Sequence, residues 1–198
     1  MTTVTNRKNE LLQDPPFVQK LLADPRAGWF WLIIRIWVGY KWIDAGLHKI
    51  SNPAWVENGF AVKGFWENAV LIPEAGRPAI AFDWYRGFLQ FLLDAEAYTW
   101  LAPMIAYGEM LVGIALILGA FTGIAAFFGA LMNWNFMMAG SASTNPVLFV
   151  AAIGLILAWK VAGNIGLDYY LLRWIGTPWR AVSTETAKPL TPIPAVAD

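Results

Sequence analysis

The sequence predicts an all-α integral membrane protein, a four-transmembrane-helix bundle with an interfacial helix in a long first loop. Three observations predict it. From Thr99 to Trp159 the one formally charged side chain is Glu109. Only 14% of the chain is charged and 58% is hydrophobic, where soluble domains are about 25% charged. The apolar run over 99–140 would form a helix of roughly 63 Å, about twice the hydrocarbon thickness of a bilayer, so it must turn back once.

Residues 1–26 are expected to be a polar cytoplasmic arm with one short amphipathic helix from Phe17 to Ala23. The arm has no apolar core of the length a signal peptide needs, so it is expected to be retained. A membrane domain is expected over 27–176, with spans at about 29–47, 99–118, 123–140 and 146–162. The long outer loop at 48–98 separates the first two. Gly119 and Gly123 place a turn in the middle of the long apolar run. After the break at 141–146, Asn145 is expected to cap a helix that has Pro146 in its first turn. Within the outer loop, residues 83–97 gather Trp84, Tyr85, Phe88, Leu89, Phe91, Leu92 and Leu93 on one side, a helix lying in the interface. Gly163 and Gly166 end the fourth span, and Leu167 to Trp174 form a second interfacial helix. The tail at 177–198, with four prolines, is expected to be disordered. Lys20, Arg26, Lys160, Arg173 and Arg180 flank one side, which places both termini in the cytoplasm of a multi-pass plasma-membrane protein.

At 100° per residue, Arg35, Gly39, Trp42, Gly46 and Lys49 share one face of the first span, and Lys41, Asp44 and His48 form an outer polar face nearly opposite. Glu109 shares its face with Ala102, Ala106, Gly113 and Leu116, and Asn133 shares its face with Thr122, Ala126, Gly129 and Gly140. At 1.5 Å per residue Arg35 lies about 9 Å into its span and Glu109 and Asn133 about 16 Å into theirs. Each isolated charge there costs on the order of 3 kcal/mol, so a buried Arg35–Glu109 pair with Asn133 beside it is expected. Such a pair either lines a functional cavity or fixes helix register. Asp168 reads as an acid at a helix N-terminus.

Composition excludes several chemistries. With no cysteine, the chain has no disulfide and no thiolate-held iron–sulfur cluster, and its single histidine, His48, cannot make a bis-histidine haem site. With zero net charge no nucleic-acid partner is expected, and no metal site is expected either.

Several local patterns then combine: Arg35 in the first span, Gly39-Tyr40 and 45–50 (AGLHKI) at its outer end, 107–113 (YGEMLVG) with Leu118-Gly119 in the second, and Gly166-Leu167-Asp168 after the fourth. Together they resemble the DoxX family of four-span membrane proteins over about 28–176, and the Trp-rich first loop resembles its DoxD-like branch. The resemblance marks Arg35, Gly46, Lys49, Glu109, Gly113 and Asp168 as family-motif positions. It implies association with thiosulfate:quinone oxidoreductase or terminal quinol oxidase assemblies, and so a non-covalent quinone as cofactor.

Two readings of function stay open. The first is a membrane subunit of a quinone-linked redox complex, with a quinone or proton cavity at Arg35, Glu109 and Asn133; catalytic residues are not assigned. The second is a non-catalytic anchor or assembly subunit that recruits a soluble partner. Expected partners are the lipid bilayer and another membrane or soluble subunit, or a second copy of the chain.

Overall fold

The computed structural model describes residues 14–175; the expectations for 1–13 and for the tail at 177–198 lie outside them. The described residues form helices and no strand. After α1 (Pro16–Leu22) and a 3-10 turn at Pro25–Ala27 comes the first long helix, α2 (Gly28–Ile50). Three cap helices follow, α3 (Pro53–Val56), α4 (Phe60–Val70) and α5 (Asp83–Asp94). Then α6 (Tyr98–Leu118) and α7 (Thr122–Met138) run back to back, and α8 (Asn145–Leu157), α9 (Trp159–Ala162) and α10 (Asp168–Ile175) complete the order.

The bundle is α2, α6, α7 and the α8–α9 pair. Helix α2 buries Gly28, Trp31, Arg35, Val38, Gly39, Trp42 and Gly46, the face that helical periodicity marks. It meets α6 backbone to backbone. A Cβ on Gly113 would stand 2.7 Å from the carbonyl oxygen of Gly39, and one on Gly46 would stand 2.9 Å from the amide nitrogen of Met110. Small residues allow that approach, and close packing along the seam adds dispersion between the two helices.

Gly119 ends α6 in the left-handed region at φ 66°, and Phe121 follows at φ 48°, so the chain reverses within three residues. At the next break Pro146 occupies the first turn of α8 as expected. Asn145 does not cap it: its side-chain amide donates to Ser141 O at 3.0 Å, bracing the preceding turn instead. The fourth bundle element is also interrupted, with α8 ending at Leu157 and α9 resuming at Trp159.

The long loop is a folded cap. Val62, Trp66, Ala69, Ile80, Tyr85 and Leu89 form a second core against Tyr98, Ala102 and Ala139. The α5 apolar residues expected on one side are divided: Tyr85 and Leu89 are buried, whereas Trp84, Phe88 and Phe91 are exposed. Trp84 stacks on Trp134 of α7 at 6.5 Å, and the Tyr85 hydroxyl lies 3.1 Å from both carbonyl oxygens of Asn135. Burial pushes the Tyr85 phenol up to about 12, so it stays a donor at any physiological pH. The start of the chain is docked as well, because the Trp31 indole donates to Leu21 O at 2.7 Å.

By length and composition one helix among the described residues, Tyr98–Leu118, is long and apolar enough to cross a membrane. Helices α7 and α8, at 17 and 13 residues, are shorter, and α2 carries several charges. The bundle nonetheless exposes a band of large apolar side chains: Ile33 and Trp37 on α2, Phe127 and Phe128 on α7, Val150 and Leu157 on α8. A surface of that kind needs lipid or protein against it.

The α2–α6 seam makes a direct prediction. Gly113→Val places carbon against backbone that cannot give, and should lower stability in detergent by about 1–3 kcal/mol. Gly64→Ala, where a Cβ meets nothing within 4 Å, serves as the control with little change. Denaturant titration followed by circular dichroism measures both; equal effects would show that the seam is not tight.

Candidate functional site

The polar side chains inside the bundle divide into two clusters at different heights along α6. The first lies at the end carrying the α6–α7 turn. Arg35 donates from Nη1 to Ala162 O at 2.7 Å and from Nη2 to Ile165 O at 2.6 Å, carbonyls left free where α9 ends. Asp168 accepts from the backbone amides of Phe121 and Thr122, at 2.5 and 2.8 Å, and so caps the start of α7. It does sit in the first turn of α10, but its carboxylate serves another helix. Two backbone bonds tie the same segments, Leu167 N to Leu118 O at 3.0 Å and Asp168 N to Gly119 O at 2.7 Å. Glycines make the room: a Cβ on Gly119 would strike the Arg35 guanidinium, and one on Gly163 would strike the Asp168 carboxylate.

The second cluster centres on Glu109. Its Oε2 accepts from Lys49 Nζ at 2.6 Å, and only 1% of the Glu109 side chain is exposed against 18% for Lys49. The expected Arg35–Glu109 pair is therefore not formed. In the α2–α6 register Arg35 falls against Gly119, while Glu109 sits beside Gly46, one turn from Lys49. Ten residues of helix, about 15 Å, separate Glu109 from the level of the guanidinium. Depth counted from helix ends placed the two within reach, because it could not show that Arg35 points towards the turn or that Lys49 reaches inward.

Asn133 is buried on the neighbouring helix and makes no hydrogen bond to Glu109. Gly108 faces Met132 and Val112 faces Gly129 across the α6–α7 contact, which puts Asn133 level with Glu109 on the neighbouring helix. Trp42 belongs to the same cluster, its Nε1 standing 3.0 Å from where a Cβ on Gly129 would be. The sequence reading placed Trp42 on the right face without assigning it a role. The available signal was its indole N–H, which needs a partner when buried. Over Lys49 lie two rings, Trp55 at 5.0 Å and Phe136 at 5.7 Å from the ammonium.

This second cluster is incompletely satisfied. Glu109 Oε1, Asn133 Oδ1 and Nδ2, and Trp42 Nε1 are buried with no hydrogen-bond partner among the described residues. Each such group costs about 1–3 kcal/mol when left unpaired. Two donors, two acceptors, an ammonium and two flat rings suit a small planar head bearing carbonyl or hydroxyl groups. Lys41, Asp44 and His48 stay outside: His48 and Asp44 face each other at 3.7 Å on the exposed side of α2. Gly46 and Gly113 serve the helix seam. No group of three or more His, Cys, Asp or Glu side chains among the described residues could hold a metal ion.

A family model described as DoxX matches residues 30–141, more than half of the chain. The match runs from α2 through α7 and includes the whole second cluster; the Asp168 fastening lies beyond it. Nothing among curated proteins or solved structures matches.

The pairing predicts a non-additive cycle. Lys49→Met and Glu109→Gln should each destabilise the chain by about 3–5 kcal/mol, and the double variant should recover part of the loss. Arg35→Met combined with Glu109→Gln should instead be additive within about 0.5 kcal/mol. Unfolding in detergent measures both cycles, and coupling in the second rather than the first would reverse the assignment.

Proposed function

Because the chain belongs to the DoxX family of membrane proteins, we propose that it is an integral membrane subunit of a quinone-linked redox complex in the plasma membrane. In this reading α2, α6, α7 and the α8–α9 pair cross the bilayer, both termini are cytoplasmic, and the cap of α3–α5 lies on the outer side. The quinone head sits at Glu109, Asn133 and Trp42 rather than at Arg35. One observation carries this: four buried polar atoms on three packed helices lack partners among the described residues. A quinone presents carbonyl acceptors to Asn133 Nδ2 and Trp42 Nε1, and a quinol presents hydroxyl donors to Glu109 Oε1 and Asn133 Oδ1. The head supplies the two-electron chemistry when bound, and a redox centre on a partner subunit exchanges its electrons. The chain's own residues bind and orient the head, keep water from it, and hold or release its proton at Glu109 Oε1.

The second reading, a non-catalytic anchor that recruits a soluble partner, is favoured by a different observation. Trp84, Phe88 and Phe91 present an exposed aromatic stripe on the cap, which another subunit or a second copy of the chain would cover.

Purification in mild detergent with quinone extraction separates the two. Near-stoichiometric quinone is expected with the natural chain and a loss of roughly tenfold or more with Asn133→Leu, which removes a bidentate hydrogen-bonding group. Lipid-level quinone in both would favour the anchor. Topology has its own check: alkaline phosphatase fused after Gly76 should be active and fused after Arg180 inactive. The reverse pattern would overturn the orientation, and activity in both would overturn the even number of spans.

A further inference from the structure

The second cluster has one member that reaches the surface. Lys49 keeps part of its side chain exposed while Glu109 and Asn133 are fully buried. Immediately beyond it, Ser51, Asn52 and Pro53 lie exposed where α2 turns into α3. Trp55, over the ammonium, rides on the four-residue α3, which is held at its start by Asn52 accepting from the Ala54 amide at 3.0 Å. Phe136, over the same ammonium, lies one turn beyond Asn133 on α7.

Two other approaches to the cluster are closed. At the turn end, a Cβ on Gly166 would stand 2.9 Å from each of Arg35 Nη1, Gly119 Cα and Leu118 O, so that end is filled by backbone and guanidinium. Along the α2–α6 seam the two backbones touch at Gly39 and Gly113. At the cap end the cluster is bordered by Lys49, Trp55 and Phe136. Lys49 has a second consequence there. By engaging Oε2 it fixes the Glu109 carboxylate and leaves Oε1 as the oxygen available to a bound group.

We propose that a quinone or quinol head reaches Glu109, Asn133 and Trp42 from the cap end, between the rings of Trp55 and Phe136. Lys49 is the positioning residue that orients Glu109 to accept from it. This rests on the quinone reading of the site. The two rings suit a planar head, which slides along flat apolar faces that a rim of charged side chains would not offer. The short α3 carries one of them, so the passage is framed by the least extensive element of the cap.

The test uses the full chain in lipid nanodiscs with a short-chain azido-quinone as photoactivatable probe, unlabelled quinone as competitor, and peptide mapping. Competed label is expected within 49–56 and 132–137. Trp55→Leu should reduce competed labelling by roughly tenfold, the loss of one stacking ring and its buried area, and Trp55→Phe should retain most of it. Lys49→Met should weaken binding, and Lys49→Arg, which keeps the charge beside Glu109, should restore it, each read on protein shown by circular dichroism to be folded. Competed label within 118–123 or 159–168, or label unchanged in both Trp55→Leu and Lys49→Met, overturns the route and leaves the quinone reading standing. No competed label anywhere overturns both. Should a variant fail to fold, the position of the label in the natural chain decides alone.

Discussion

The close contact of α2 with α6 is the constraint from which the rest of the interior follows. Gly39, Gly46 and Gly113 let the two backbones touch, and a contact of that kind admits one register, because sliding by a residue would bring side chains against main chain. That register decides which charge meets which. It sets Arg35 against Gly119 and brings Lys49 within 2.6 Å of Glu109. In a low-dielectric interior, where an unpaired charge is costly, the placement of a few glycines thus determines the electrostatics of the whole bundle.

Both polar clusters that result leave buried atoms without partners among the described residues, Arg35 Nε and Thr122 Oγ1 at the turn end and four atoms around Glu109. At the turn end Arg35 and Asp168 direct their charges at helix termini of the chain itself. The guanidinium takes carbonyls from the end of α9 and its sequel, and the carboxylate takes the first amides of α7. This fastening joins α2, α7 and the segment before α10 around the tight reversal at Gly119. The Glu109 cluster leaves more open, a paired charge beside two donors and two acceptors that nothing among the described residues meets. Stability alone does not favour such an arrangement, since apolar residues of the same shape would serve better.

The cap extends the argument to the outside of the bundle. It has its own core, centred on Val62, Trp66, Tyr85 and Leu89, and is attached through Tyr98, Ala102 and Ala139 to the bundle helices. Its helix α5 buries one edge and exposes another, with the Trp84–Trp134 stack continuing the exposed aromatic surface of α7. Position over the Lys49 end of the bundle gives the cap a place beside the unsatisfied cluster as well as a surface for lipid or a partner.

The sequence by itself determined the all-helical class and three of the long helices. Apolar run length, glycine and proline punctuation and helical periodicity are local, and they placed α2, α6 and α7 within three residues at every end and picked the buried faces that hold Arg35, Glu109 and Asn133. The resemblance to the DoxX family, rather than those patterns, marked Lys49, Gly113 and Asp168 as motif positions. Only the tertiary structure decided the partners. Which charges pair depends on the relative height and rotation of two helices, quantities set by backbone contact across sixty residues of intervening chain and by the direction in which a long side chain extends. The break at Ala158, the reassignment of Asn145 and the division of the α5 aromatic face have the same origin. Each is settled by what the neighbouring element offers, such as the Ser141 carbonyl or the Asn135 carbonyls, and a one-dimensional pattern carries no record of the neighbour.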